Sequence, residues 1–222
     1  MPPQAVSISY SVLKEILPSD SNNPDAAKMD ATTNNQRLPK ELLQACIRPV
    51  LLNLRDYTKL TVPLLRGLSC LLSLLSSWFS KTLGGKLLDH LQKWTEPERI
   101  MSLQVWREGE ELLVAAAIVD LFALLPDAPS FTEALVKAVI NLEAVLPRYK
   151  LTSSSISSPF RAPLSRFLNK CGKSAIIFFL HEQRLIKEEY SNIFYDIVKR
   201  GDSDVLRGYL ISPECTTILL NT

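Results

Sequence analysis

A chain of 222 residues is long enough to bury a substantial core, and 46% hydrophobic with 22% charged residues is the composition of an ordinary globular protein. A net charge of +2, with acids and bases interspersed, excludes the clustered Lys and Arg that a dedicated nucleic-acid surface requires. Four widely spaced cysteines, Cys46, Cys70, Cys171 and Cys215, form no C-x-x-C pair and give neither a zinc nor a thioredoxin motif. Their usage reads as cytosolic or nuclear. The chain opens without a basic-then-apolar signal segment. Its longest uncharged apolar run, between Arg66 and Lys81, is shorter than the roughly 20 residues that span a bilayer.

Residues 1–37 read as a short helix end (Val12, Leu13, Ile16, Leu17) followed by a mobile polar linker. Residues 38–222 read as a run of helices. Leu43, Ile47, Val50 and Leu54, then Leu64, Leu68, Leu71, Leu75 and Trp78, recur in steps of three and four, which is a helical period. A polar turn over Arg55–Thr61 joins these two helices into an antiparallel hairpin. Pro49 predicts a kink inside the first, and Pro63 marks the start of the second. A third helix is predicted from about Gly85 to Trp94, with Leu87, Leu88 and Leu91 on one face. Thr95-x-x-Glu98 and Ser130-x-x-Glu133 are capping-box candidates for the helices after them. Between them lies EELLVAAAIVDLFALLP, interrupted only by Asp120, which predicts a central helix covered on nearly every side. Its start echoes ELLQACIRPVLLNL at Glu41, a loose internal repeat of the kind helical solenoids carry.

Beyond the serine-rich connection at 150–159, further helices are predicted through Leu164, Phe167, Leu168 and Cys171, through Ala175–Leu180, through Tyr190, Phe194, Ile197 and Val198, and over Asp202–Leu210. The tail closes on Ile218, Leu219 and Leu220, whose apolar character predicts a neighbouring repeat beyond and self-association of the isolated chain. The fold class expected is all-α, an α-solenoid of HEAT-type helical hairpins.

Candidate chemistry is sparse. Gly84-Gly85-Lys86 before a helix invites comparison with a phosphate loop, but Leu87 stands where Ser or Thr is needed, so a flexible helix junction is the better reading. His90 beside Asp89 and His181 beside Glu182 are sequence neighbours on different helix faces, not dyads, and packing or surface roles are expected. Trp78, Phe79, Trp94 and Trp106 lack the interleaved basic residues of a base-stacking platform and are expected in the core. Ser158-Pro159, at the end of the loop 152–158, is a candidate proline-directed phosphorylation site or simply part of a solvated connection. Catalytic, cofactor-binding and metal residues are expected to be none, and no cofactor is expected.

The strings RPVLLNL, GGKLLDHLQKW with its EPE follow-on, and SSPFRAPLSRFLNK resemble part of the TRRAP family over about Leu38 to Lys170. These are very large transcription-associated relatives of the phosphatidylinositol-3-kinase-like kinases. The resemblance implies a piece of a longer, non-catalytic helical scaffold, a pseudokinase family of histone acetyltransferase complexes of the SAGA type. It implies a nuclear location and protein partners, namely coactivator-complex subunits and transcriptional activators, with no direct nucleic acid, membrane or small-molecule ligand. The alternatives are a helical segment of an active kinase of that superfamily, or an unrelated HEAT scaffold such as a nuclear-transport factor.

Overall fold

The computed structural model describes residues 52, 54, 56–75, 81–96, 110–145 and 158–220. The expected linker, the first helix with Pro49, the Glu41 echo, and Cys46, Trp78, Phe79, Glu98 and Trp106 lie outside them. The described residues form helices joined by turns, with no strand among them. In chain order these are α1 (Val62–Leu75), α2 (Lys81–Lys93), α3 (Glu110–Leu121), α4 (Thr132–Val145), α5 (Arg161–Lys170), α6 (Gly172–Leu180), α7 (Glu188–Lys199), α8 (Asp204–Leu210) and α9 (Pro213–Leu220).

Alternate helices stack on one another. Helix α3 packs on α1 and on α5, giving one layer, while α4 packs on α2 and on α6, giving a second. Helix α8 then closes against both α5 and α6. This two-layered stacking of successive helices is an α-solenoid. The turn between the first two predicted helices is a 3-10 turn, Tyr57–Lys59. It is held by Asp56, whose carboxylate accepts from the Thr58 amide at 3.0 Å and the Thr58 hydroxyl at 2.6 Å.

The predicted central helix is central. Leu112, Val114, Ala115, Ile118, Val119 and Leu121 are buried, which an element covered by α1 on one side and α5 on the other requires. The expected all-round burial fails at Leu113, which is 55% exposed. Beyond α3 the chain tightens into a 3-10 turn, Phe122–Leu124, which ends ahead of Pro126. Phe122 there meets Phe131 edge-on at 5.6 Å and Phe167 at 6.4 Å, linking the start of α4 to α5. Full burial of such a ring stabilises by about 1.5–3 kcal/mol, and each edge-to-face pair adds about 0.5–1.5 kcal/mol.

Three expectations need correction. Helix α2 begins at Lys81, about four residues before the predicted start, so Gly84 and Gly85 lie inside a helix and are no flexible junction. The reason is a close approach: a Cβ on Gly84 would stand 2.2 Å from Phe131 Cζ. The second capping box does not form. Ser130 Oγ donates to the Asp127 carbonyl at 2.8 Å, inside a 3-10 turn over Ala128–Phe131, and Glu133 turns instead to Lys137. Finally, the tail after Ser212 is helical as α9, where only an apolar end was expected.

The two glycines of α2 make a paired test. Gly84→Ala must displace the Phe131 ring and should destabilise the chain by about 1–3 kcal/mol, the cost of overpacking. Gly85 has open space within 4 Å, so Gly85→Ala should be neutral or stabilising by up to about 1 kcal/mol from helix propensity. Urea unfolding monitored by circular dichroism checks both, and equal effects would show that Gly84 is not a contact glycine.

Candidate functional site

The residues weighed for chemistry separate in space. Lys86 is exposed on the interior of α2, away from a helix start, so Gly84-Gly85-Lys86 forms no phosphate cradle. His90 is buried, and its Nε2 hydrogen-bonds the Leu54 carbonyl, tying α2 to the chain ahead of α1. Asp89 is exposed on another face of the same helix, as neighbours in sequence must be. Trp94 is fully buried, which removes it from any stacking platform. Cys171 and Cys215 are buried, and burial pushes the Cys171 thiol up to about 11 and raises that of Cys215. Such thiols are unreactive packing groups. Ser158 is half-buried, and its Oγ accepts from the Phe160 amide at 3.3 Å, so it belongs to the turn that opens α5.

The string SSPFRAPLSRFLNK proves to be a joint. Each polar side chain of α5 reaches a different neighbour. Arg161 forks onto Glu143 of α4, Nε to Oε1 at 2.7 Å and Nη2 to Oε2 at 2.6 Å, with both side chains under one-fifth exposed. Arg166 Nε donates at 2.9 Å to Asp120, near the end of α3. Lys170 Nζ donates to the carbonyls of Ala123 and Leu125, which close the 3-10 turn after α3. Asn169 Oδ1 accepts from the Leu206 amide at 3.1 Å, at the start of α8. Ser165 lies 3.3 Å from the Ser203 hydroxyl, which in turn donates to the Ile197 carbonyl at 2.7 Å. Meanwhile Phe160, Leu164, Phe167 and Leu168 are fully buried. A two-bond Arg–carboxylate fork fixes orientation as well as distance, so α5 sets the angle between repeats.

On the second layer, α4, α6, the 3-10 segment His181–Ile186 and the start of α7 leave a groove of about 710 Å³. Its lining includes the apolar Ile177, Phe178 and Tyr190 and the basic Lys137, His181, Arg184 and Lys187, with one carboxylate, Glu133. Arg184 is fixed in place: its guanidinium lies 4.2 Å from the Phe178 ring centre, and Nη1 donates to the Phe178 carbonyl at 3.0 Å. The preceding residue, Gln183, has φ 52°, a left-handed conformation that a non-glycine residue adopts at some cost. Lys137 Nζ meets Glu133 Oε1 at 2.6 Å, and Arg184 Nη2 approaches the same oxygen at 3.7 Å. The Lys137 ammonium foremost, with Arg184 and His181, holds the Glu133 carboxyl below its ordinary 4.5. His181, for which a packing or a surface role was expected, is exposed and lines this groove. Glu133 and Lys137 pair within α4 at i, i+4 spacing, although the sequence reading assigned Glu133 to a capping box. Arg184 and Lys187 carried no signal, because only the packing of α6 and α7 brings them to α4.

Among the described residues no group of three or more His, Cys, Asp or Glu side chains gathers where a metal could sit, and no helix is long and apolar enough to cross a membrane. Stacked amphipathic helices with polar joints and an open, mixed-charge groove define the class: a helical-repeat protein of the α-solenoid type. More narrowly, the chain belongs to the family of the Tra1 HEAT repeat ring region, which it matches over residues 2–222. It is 41% identical over 146 residues to the "Probable transcription-associated protein 1" of Dictyostelium discoideum, covering 65% of this chain and 3% of that protein. It is 37% identical over 168 residues to the "SAGA complex/NuA4 acetyltransferase complex subunit TRA1" of Saccharomyces cerevisiae, covering 74% of this chain and 4% of that one. With the human "Transformation/transcription domain-associated protein" it shares 28% identity over 183 residues, 74% of this chain and 5% of that protein. The chain thus spans only a few hundredths of the length of these relatives.

Buried His90 makes stability depend on pH. Burial foremost holds its imidazole below the ordinary 6.5, opposed by the Leu54 hydrogen bond. The unfolded chain therefore binds this proton more readily than the folded one. The stabilisation is complete above about pH 6.5 and is lost as pH falls toward the depressed folded value. The urea midpoint should drop between pH 7.5 and pH 5.5, and His90→Gln, which keeps a donor for the Leu54 carbonyl, should flatten that dependence. An unchanged slope in the variant would place the pH dependence elsewhere.

Proposed function

We propose that this chain is a scaffold segment of a Tra1-type subunit of a histone acetyltransferase coactivator complex, without catalysis of its own. In this reading residues 38–222 form the repeat segment and residues 1–37 a helix end and linker. The segment works in the nucleus by presenting surface to complex subunits and transcriptional activators, and it needs no cofactor. The observation that carries the reading is the family match across residues 2–222, read together with a fold of stacked helices. It favours this reading over a nuclear-transport scaffold. The geometry agrees with it. Repeat proteins bind along extended faces built by stacking, and the polar joint of α5 keeps such a face at a fixed curvature. The yeast relatives, named as subunits of the SAGA and NuA4 complexes, supply the assembly in which such a face would be used.

A segment exchange tests this. This chain would replace the matching stretch of the Saccharomyces cerevisiae TRA1 protein, and the complexes would be purified through another subunit. The expected result is a SAGA-type complex of normal composition that retains acetyltransferase activity. Loss of subunits, when the chimaeric protein is itself folded and abundant, would overturn the scaffold reading.

A further inference from the structure

We propose that Ser158 is phosphorylated by a proline-directed kinase while the start of α5 is undocked from α4, and that the phosphate then competes with Glu143 for Arg161.

The sequence after Ser158 has the chemistry such a kinase reads. Pro159 follows directly, with no amide N–H to satisfy and a fixed φ. Arg161 stands three positions on and supplies a cation for an anionic group of the kinase. The other Ser-Pro pair, Ser212-Pro213, has Cys215 at that place instead. In the transfer step Ser158 Oγ bonds the γ-phosphorus of ATP, the bond from that phosphorus to the bridging oxygen breaks, and ADP leaves. The hydroxyl proton passes to the catalytic aspartate of the kinase.

Docked, the motif is shut. Phe160 is fully buried. Arg161 is held by its two-bond fork to Glu143, with the side chains only 15% and 17% exposed. A kinase cleft takes an extended segment, so residues 158–161 must leave the stack together. They lie before α5 and at its first position, where an opening can be local rather than global. The fork is therefore the latch, because its charge-assisted hydrogen bonds must break for Ser158 to be read.

Once added, the phosphate changes what can close again. It carries about −1.5 to −2 charges near neutral pH. Ser158 and Arg161 face each other across one turn, closed by the Arg161 amide on the Ser158 carbonyl at 3.1 Å. The phosphate is thus tethered beside the guanidinium that Glu143 needs, and the two anions repel each other. Nε and Nη2 of Arg161 both serve the fork, so a phosphate that takes this edge undoes it. The modification acts on the joint between α4 and α5, which sets the angle between repeats.

The test uses the full chain, a cyclin-dependent kinase and Mg-ATP, with modified residues mapped by mass spectrometry. Phosphate should enter Ser158 slowly in the chain itself and about tenfold faster in Glu143→Gln, the difference between charge-assisted and neutral hydrogen bonds. Pro159→Ala should abolish it. Gly84→Ala strains the contact with Phe131, ahead of the opposite end of α4, and should change the rate less than Glu143→Gln. In purified protein, Glu143→Gln should lower the urea midpoint of the unphosphorylated chain and leave that of the phosphorylated chain unchanged or higher. No phosphate at Ser158 in Glu143→Gln, the same rate with and without Glu143, or equal acceleration by Gly84→Ala would each overturn the proposal. So would an equal loss of urea midpoint on Glu143→Gln in both forms. Neither result bears on the segment exchange, so this site and the scaffold reading fail separately.

Discussion

Double coverage of α3 is the constraint on which the remaining structure depends. A helix packed by α1 on one side and α5 on the other has almost no face left for water. Its sequence must then be apolar nearly all round, and residues 111–122 are, apart from Glu111 and Asp120. Asp120 lies on the partly exposed strip, where water reaches it and Arg166 of α5 donates to it at 2.9 Å. The positions that escape the cover, Leu113 and the half-buried Glu110, Ala117 and Asp120, mark the strip between the two neighbours. Such a helix has no stable existence outside the stack, which couples the first layer into one cooperative unit.

Around that core, polar contacts decide angles rather than supply most of the stability. Hydrophobic burial is non-directional, so rows of Leu and Phe alone would tolerate a range of repeat-to-repeat rotations. The side chains of α5 remove that freedom. Arg161 fixes α4, Arg166 fixes α3, Lys170 holds the carbonyls after α3, and Asn169 holds the start of α8. Once those angles are set, α4, α6 and α7 cannot close on one another completely. The groove lined by Arg184 lies between these helices, beside the layer that α5 joins.

What could be read from the sequence followed from periodicity. The apolar steps through Leu64, Leu68 and Leu71, and through Leu135, Val139 and Leu142, identify helices and their buried faces because burial repeats with the helical turn. Solvent-facing pairs leave a trace in the sequence only where partners share a helix, as with Glu133 and Lys137, whose i, i+4 spacing was passed over for the capping box. Gly84 was misread because a glycine in a loop and a glycine under a neighbouring ring look alike until Phe131, far downstream in sequence, is placed against it. Ser130 was misread because a 3-10 turn brings the Asp127 carbonyl within reach, so its hydroxyl donates there and makes no capping box, in which its oxygen would accept from a backbone amide. The Arg161–Glu143 fork and the Arg184 edge of the groove were beyond reach, since each joins helices whose mutual placement is a tertiary outcome.

The central claim is that α3 is the doubly covered core of a cooperative helical stack, and native-state hydrogen exchange tests it most directly. Amides of residues 114–121 should exchange only through global unfolding, with a free energy equal to that from urea denaturation, while those of α8 exchange faster through local opening. Exchange of residues 114–121 at the rate of α8, well below the global unfolding free energy, would contradict the account.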